Sequence, residues 1–117
     1  MTNWYDNEIT RGILKAKYLH EGEESFENLV DRVSSIFGDI KDEVKTAMLN
    51  ADITPAGRIL YGAGYKDDRK VSLSNCYIVG NVPEDSLESI SQIDYEISRI
   101  GSMGGGVGIA LDNIRPK

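Results

Sequence analysis

The chain has 117 residues, 40% hydrophobic and 27% charged, the composition of a globular protein that is one domain or part of one. Its net charge of −6 repels phosphate backbones at long range, and no dense Lys/Arg cluster with interleaved aromatics opposes this, so a nucleic-acid polymer is not an expected partner. A single nucleotide stays open, because backbone N–H groups and one or two cations can hold it in a local pocket.

The first ten residues have neither the basic start nor the apolar stretch of a secretory signal, and no apolar run approaches the ~18 residues of a membrane span. A cytoplasmic location without membrane contact is expected. The one cysteine, Cys76, cannot form an intrachain disulfide, and no Cys/His cluster has metal-ligand spacing, so no metal site is expected.

In chain order, Ile9, Ile13, Leu14 and Tyr18 fall on one helical face that Gly22 interrupts. His20, in the polar stretch His20-Glu21-Gly22-Glu23-Glu24, reads as a solvated loop residue. Ser25 with Asn28 signals a helix start, followed by Phe26, Leu29, Val30, Val33, Ile36 and Phe37 at helical spacing up to Gly38. A third helix is expected from about Asp39 to Asn50, with Ile40, Val44, Ala47 and Met48 facing inward.

From Thr54 the character changes. Pro55, Gly57, Gly62-Ala63-Gly64 and the charged run Lys66 to Lys70 mark loop structure. Val71 to Val79 alternates as a strand does, placing Cys76 on a face with Ser72 and Ser74. After Pro83, Asp85-Ser86 can cap a helix lined by Ile90, Ile93, Ile97 and Ile100 and ending near Gly101. The turn Gly104-Gly105-Gly106 then leads into a second strand, Val107 to Leu111. Strand, helix and strand of this length form a βαβ crossover, so the strands should be parallel in one sheet. The fold class is therefore α/β, with a helical region over residues 1–53 and a strand-helix-strand unit within residues 54–117.

The chemistry-bearing residues each admit two uses. Cys76 fits a small buried hydrophobe or a thiol facing a polar cavity. The glycine run lacks the Lys-Ser/Thr of a phosphate loop and leaves a helix to enter a strand; it is a tight turn or a place where a ligand touches backbone. Asp85-Ser86 is a helix cap or a ligand contact. Two non-enzymatic alternatives follow: a nucleotide-binding regulatory module in which Cys76 is filler, and an interaction domain whose glycines are only turns.

Taken together, Thr54-Pro55-Ala56-Gly57-Arg58-Ile59-Leu60, Ser74-Asn75-Cys76-Tyr77, Asp85-Ser86-Leu87, Gly104-Gly105-Gly106-Val107-Gly108 and Ile114-Arg115-Pro116 resemble, in order and spacing, the large catalytic subunit of ribonucleotide reductases. The resemblance covers roughly residues 54 to 117, and the helical first half looks like the family's region before its barrel. It implies a ten-stranded α/β barrel of which this chain holds the first strand-helix-strand unit. It implies conversion of ribonucleotides to deoxyribonucleotides by thiyl-radical chemistry.

Position by position, Cys76 matches one of the two thiols that reduce the substrate and become a disulfide, later restored by a thioredoxin-like dithiol reductant. Thr54, Asn75, Cys76 and Gly106 match substrate contacts; Asn75 stands where many members have serine. Asp85, Ser86, Leu87 and Arg115 match the site of the specificity effector, a deoxynucleotide or ATP.

The radical thiol, the second redox thiol and a proton-handling carboxylate lie in the family on later strands. The chain is therefore expected to be a truncated, split-gene or interrupted product, inactive without a C-terminal remainder. The wording of the Pro55–Leu60 and Gly104–Gly108 segments is closest to the adenosylcobalamin-dependent members. The implied cofactor is adenosylcobalamin bound by that remainder; the alternative is a radical from a separate metal-containing subunit.

Overall fold

The computed structural model describes residues 3–66, 70–79 and 84–116. They fall into two compact units, Met1–Arg69 and Lys70–Lys117. The charged run beyond Lys66 and Pro83, which the sequence reads as turn and strand breaker, lie largely outside the described residues.

The first unit is helical: α1 (Glu8–Lys17), α2 (Phe26–Ser34), a 3₁₀ segment (Ser35–Ile40), α3 (Lys41–Leu49) and α4 (Gly57–Gly62). Asn7 starts α1 by accepting from the Thr10 N–H at 2.9 Å, with Glu8 in the first turn and Lys15 and Lys17 in the last, as the helix dipole favours. Its packed face is centred on Leu14, with Thr10 and Tyr18 half-buried. Ile9 and Ile13, expected on that face, are 76% and 48% exposed. One residue along an α-helix is a rotation of about 100°, so Ile13 cannot share the direction of Leu14.

Helix α2 begins as expected. The Ser25 side chain accepts from the Asn28 N–H, and Asn28 reaches back to the Ser25 N–H, a reciprocal cap. Phe26, Leu29, Val30 and Val33 are buried. Ile36 and Phe37 are not, because the chain tightens at Ser35 into 3₁₀ geometry, whose roughly 120° steps carry them off the α2 stripe. Gly38 turns the chain there with φ 55° and ψ −120°, a conformation that side chains oppose. Ile40 ends this segment and is half exposed, so the inward face of α3 is Met48, fully buried, with Val44 and Ala47 half-buried.

The segment after Thr54, expected as loop, contains α4. Pro55 and Gly57 stand at its start and Gly62 at its end, so these breakers flank the turn-forming run Arg58 to Tyr61 instead of interrupting it. Tyr5, Leu14, Phe26, Leu29, Val30, Val33, Met48 and Ala63 form the core of this unit. Trp4 closes it edge-on to Phe26 at 5.2 Å and donates its indole N–H to the Leu49 carbonyl at 2.8 Å.

The second unit is a strand-helix-strand crossover of β1 (Cys76–Ile78), α5 (Leu87–Ser102) and β2 (Gly106–Gly108). The strands are parallel, with Cys76 opposite Gly106, Tyr77 opposite Val107 and Ile78 opposite Gly108. The class is thus α/β: helix-rich, with a small parallel sheet. Both strands are shorter than expected. The Ser72 hydroxyl bonds the Ser74 carbonyl and takes the Ser74 N–H, a local turn that competes with a ladder. Strand β2 stops at Gly108, and the chain turns three residues beyond it, with the Ile114 N–H bonded to the Leu111 carbonyl at 3.0 Å.

Helix α5 starts at the Ser86 cap, which accepts from the Ser89 N–H at 3.2 Å, and buries Ile93. Among the described residues no helix is long and apolar enough to cross a membrane.

Candidate functional site

Successive side chains of a strand point to opposite faces. Tyr77 lies on the α5 side of the pair: a Cβ on Gly105 would stand 2.8 Å from the Tyr77 ring and 2.7 Å from Ile100. Cys76 and Ile78 consequently face away from α5, and both are exposed. Ser72, expected beside Cys76, instead bonds the Tyr77 hydroxyl, on the other face. Cys76 is therefore an accessible thiol and not a core residue of this unit.

The glycine run divides by position. Gly105 admits no side chain, since its neighbours stand inside van der Waals contact. At Gly106 a Cβ would meet only the Asn75 carbonyl at 3.6 Å and Cys76 Sγ at 3.7 Å, both ordinary contacts. Glycine at 106 thus leaves open the space beside the thiol without being required by packing. The Gly106 N–H donates to the Asn75 carbonyl at 2.8 Å, so Asn75, Cys76 and Gly106 meet at one end of the parallel pair. Thr54 is in the first unit, exposed on the link between α3 and α4.

A second cluster gathers at the start of α5. Arg115 Nε lies 3.2 Å from Asp85 Oδ2, joining two residues far apart in sequence. Ser86 caps the helix, and Leu87 is 75% exposed. An ion pair this open contributes little, at most about 1 kcal/mol, so either partner can exchange it for a ligand. Beyond this cluster Ile90, Ile93, Ile97, Ile109, Leu111 and Ile114, with Asp94, line an open apolar groove of about 300 Å³.

The sequence reading missed a third feature, a buried charge network in the first unit. The Arg32 guanidinium donates to Glu23 through Nε at 2.6 Å, and to the carbonyls of Ala63 at 2.7 Å, Leu60 at 3.0 Å, Tyr18 at 3.2 Å and Tyr61 at 3.3 Å. The Arg32 side chain is 4% exposed and that of Glu23 12%. Its signal was an arginine between Leu29 and Val33 on the apolar stripe of α2. His20 adjoins it and, though in the loop after α1, is half-buried instead of solvated. Its ring donates from Nε2 to the Tyr61 carbonyl at 2.7 Å and packs 4.4 Å from the Tyr65 ring.

Burial pushes the Glu23 carboxyl up, but the Arg32 hydrogen bond, the His20 N–H and the nearby positive charge together outweigh it and hold its pKa below the ordinary value. A carboxyl depressed in the folded state stabilises fully above its unfolded pKa, near 4.3, and loses that contribution as pH falls through the folded value. Urea unfolding of the chain should therefore show stability falling below about pH 4.3. In Glu23→Gln that part of the fall should disappear; an identical acid profile in the variant would contradict the ion pair.

Among the described residues no group of three or more His, Cys, Asp or Glu is placed to hold a metal ion. No family model matches the chain, and no curated protein matches it.

Proposed function

We propose that the chain is a portion of a ribonucleotide reductase catalytic subunit that supplies one redox thiol, part of the substrate site and part of the specificity-effector site. The observation that carries this reading is the parallel register that sets Cys76 against Gly106. It leaves an exposed thiol beside a residue with no side chain, and in this reading the ribose to be reduced lies against them. The meeting of Asp85 with Arg115 at the α5 cap supports the effector half: Arg115 would pair with phosphate, Asp85 would accept from a ribose hydroxyl, and Ser86 and Leu87 would flank the ligand.

In the proposed reaction Cys76 and a second thiol give two electrons and two protons. The 2′ carbon–oxygen bond breaks, the oxygen leaves as water, carbon gains hydrogen, and the thiols join as a disulfide that a dithiol reductant reopens. With one cysteine among 117 residues, the second thiol and the radical thiol must come from residues outside this chain. So must the radical generator, whether adenosylcobalamin or, alternatively, a metal-containing subunit. The same remainder would complete the ten-stranded barrel and cover the apolar groove between α5 and Leu111.

The test is nucleotide reduction by the purified chain, with and without the polypeptide that carries the remaining strands, in the presence of adenosylcobalamin and a dithiol. Reduction is expected only in the mixture. Reduction by the chain alone would overturn the reading, because one cysteine cannot be radical carrier and both halves of a disulfide.

Asp85→Ala and Arg115→Ala should each weaken effector binding in the assembled enzyme by roughly ten- to a hundredfold, the loss of one charge-assisted hydrogen bond. Equilibrium binding of a deoxynucleotide, together with base preference, measures this. Unchanged values for both variants would return Asp85 and Arg115 to a surface ion pair beside a helix cap.

A further inference from the structure

We infer that Arg32 is a positioning residue for Thr54, holding the link that presents the Thr54 hydroxyl and so setting substrate affinity from within the helical unit. The inference rests on the reading of Thr54 as a substrate contact; the clamp itself is built from contacts in the first unit alone.

Helix α4 spans only Gly57–Gly62, too short to hold its own conformation in water. Its last carbonyls have no intrahelical partners, and Arg32 supplies donors to Leu60, Tyr61 and Ala63. The other end is held indirectly. Tyr18 gives its carbonyl to Arg32 Nη2, and its hydroxyl lies where a Cβ on Gly57 would stand only 3.0 Å from it. Glu23 fixes the remaining edge of the guanidinium.

Gly64, at φ +69°, backs onto the Arg32 main chain so closely that a Cβ would lie 2.5 Å from the Arg32 carbonyl oxygen. Arg32 is thus enclosed from both sides and cannot shift without moving α4.

The link to be positioned is short. Asp52 and Ile53 donate to the Ala47 carbonyl at 2.9 and 3.3 Å, fixing the chain to the end of α3. Only Thr54, Pro55 and Ala56 then separate that anchor from α4, and Pro55 restricts its own φ and its predecessor's backbone. Thr54 is exposed and makes no hydrogen bond to the described residues, so nothing in its own side chain holds it. Its place follows from the two anchors, and Arg32 sets most of the second, with His20 sharing only the Tyr61 carbonyl.

The experiment uses Arg32→Lys, which keeps the charge and loses the planar fork, and Glu23→Gln, which keeps the fork and loosens its anchor. Both are made in the assembled enzyme. The KM for ribonucleotide should rise roughly tenfold in Arg32→Lys and severalfold in Glu23→Gln, with kcat per folded molecule within about twofold, the mark of lost ground-state positioning. Amide exchange over residues 57–63 should accelerate in both, while effector binding at Asp85 and Arg115 stays unchanged.

If Arg32→Lys does not fold, Glu23→Gln decides. Accelerated exchange with unchanged KM would leave a clamp without positioning and overturn the inference, as would unaltered exchange. A wild-type assembly that reduces no nucleotide would overturn the reductase reading and with it the role of Thr54; the exchange data would still decide whether Arg32 clamps α4.

Discussion

If the chain is the proposed reductase portion, Cys76→Ser in the assembled enzyme is expected to abolish repeated turnover with a dithiol reductant while leaving the KM for substrate within about twofold. A serine hydroxyl matches the thiol in size and keeps the surface beside Gly106, so the space open to a ligand is preserved. What it loses, on the proposed reading, is the two-electron step, since a hydroxyl forms no disulfide and cannot be regenerated by thiol–disulfide exchange. Measuring product per enzyme under excess dithiol separates this from a folding defect, because Cys76 is exposed and is not one of the buried core residues. Full turnover by the variant would remove Cys76 from the chemistry and leave it an accessible but idle thiol.

The second large effect concerns stability. Arg32→Met in the isolated chain should lower the unfolding free energy by about 3–5 kcal/mol, as expected when one partner of a buried ion pair is removed. Methionine fills much of the same volume, so the loss is not mainly a cavity. It strands the Glu23 carboxylate in a largely buried site and withdraws donors from the carbonyls of Tyr18, Leu60, Tyr61 and Ala63. Small domains are stable by only about 5–15 kcal/mol, so this change alone brings the helical unit close to unfolding.

Pairing Arg32→Met with Glu23→Met tests the origin of the loss. The double variant removes the stranded charge and should recover part of the stability, but not all, because the carbonyls of Tyr18, Leu60 and Ala63 still lack their donor, while that of Tyr61 keeps His20. Amide exchange over residues 57–63 should stay accelerated in the double variant even where the urea midpoint recovers, because two apolar side chains can offset the lost bonds; wild-type exchange there would show that the carbonyl bonds hold nothing, and the clamp on α4 would fall with them.

How the sequence and the structure divide the determination of this protein follows the range of the interactions concerned. The caps at Ser25 and Ser86 and the helices they start were legible, because each depends on residues three or four apart. The parallel pairing was also legible, since a helix between two short apolar runs leaves few topologies. The resemblance grouped Cys76 with Gly106 and Asp85 with Arg115, and the folded chain brings each of these pairs together; their roles stay with the proposal.

Strand length and facing were not legible. The Ser72 hydroxyl delays the ladder by closing a local turn on Ser74 and faces Tyr77 instead of Cys76, and alternation alone cannot register such contacts. Periodicity also overcounted the buried residues. Ile9, Ile13, Ile36 and Ile40 fit an apolar stripe, yet the packed direction of α1 and the 3₁₀ tightening after α2 turn them outward. Helix α4 and the Arg32–Glu23 network belong wholly to the tertiary structure. A six-residue helix has no local stability to betray it, and a buried arginine becomes intelligible only where the folded chain brings four carbonyls and a carboxylate within reach of its five N–H donors.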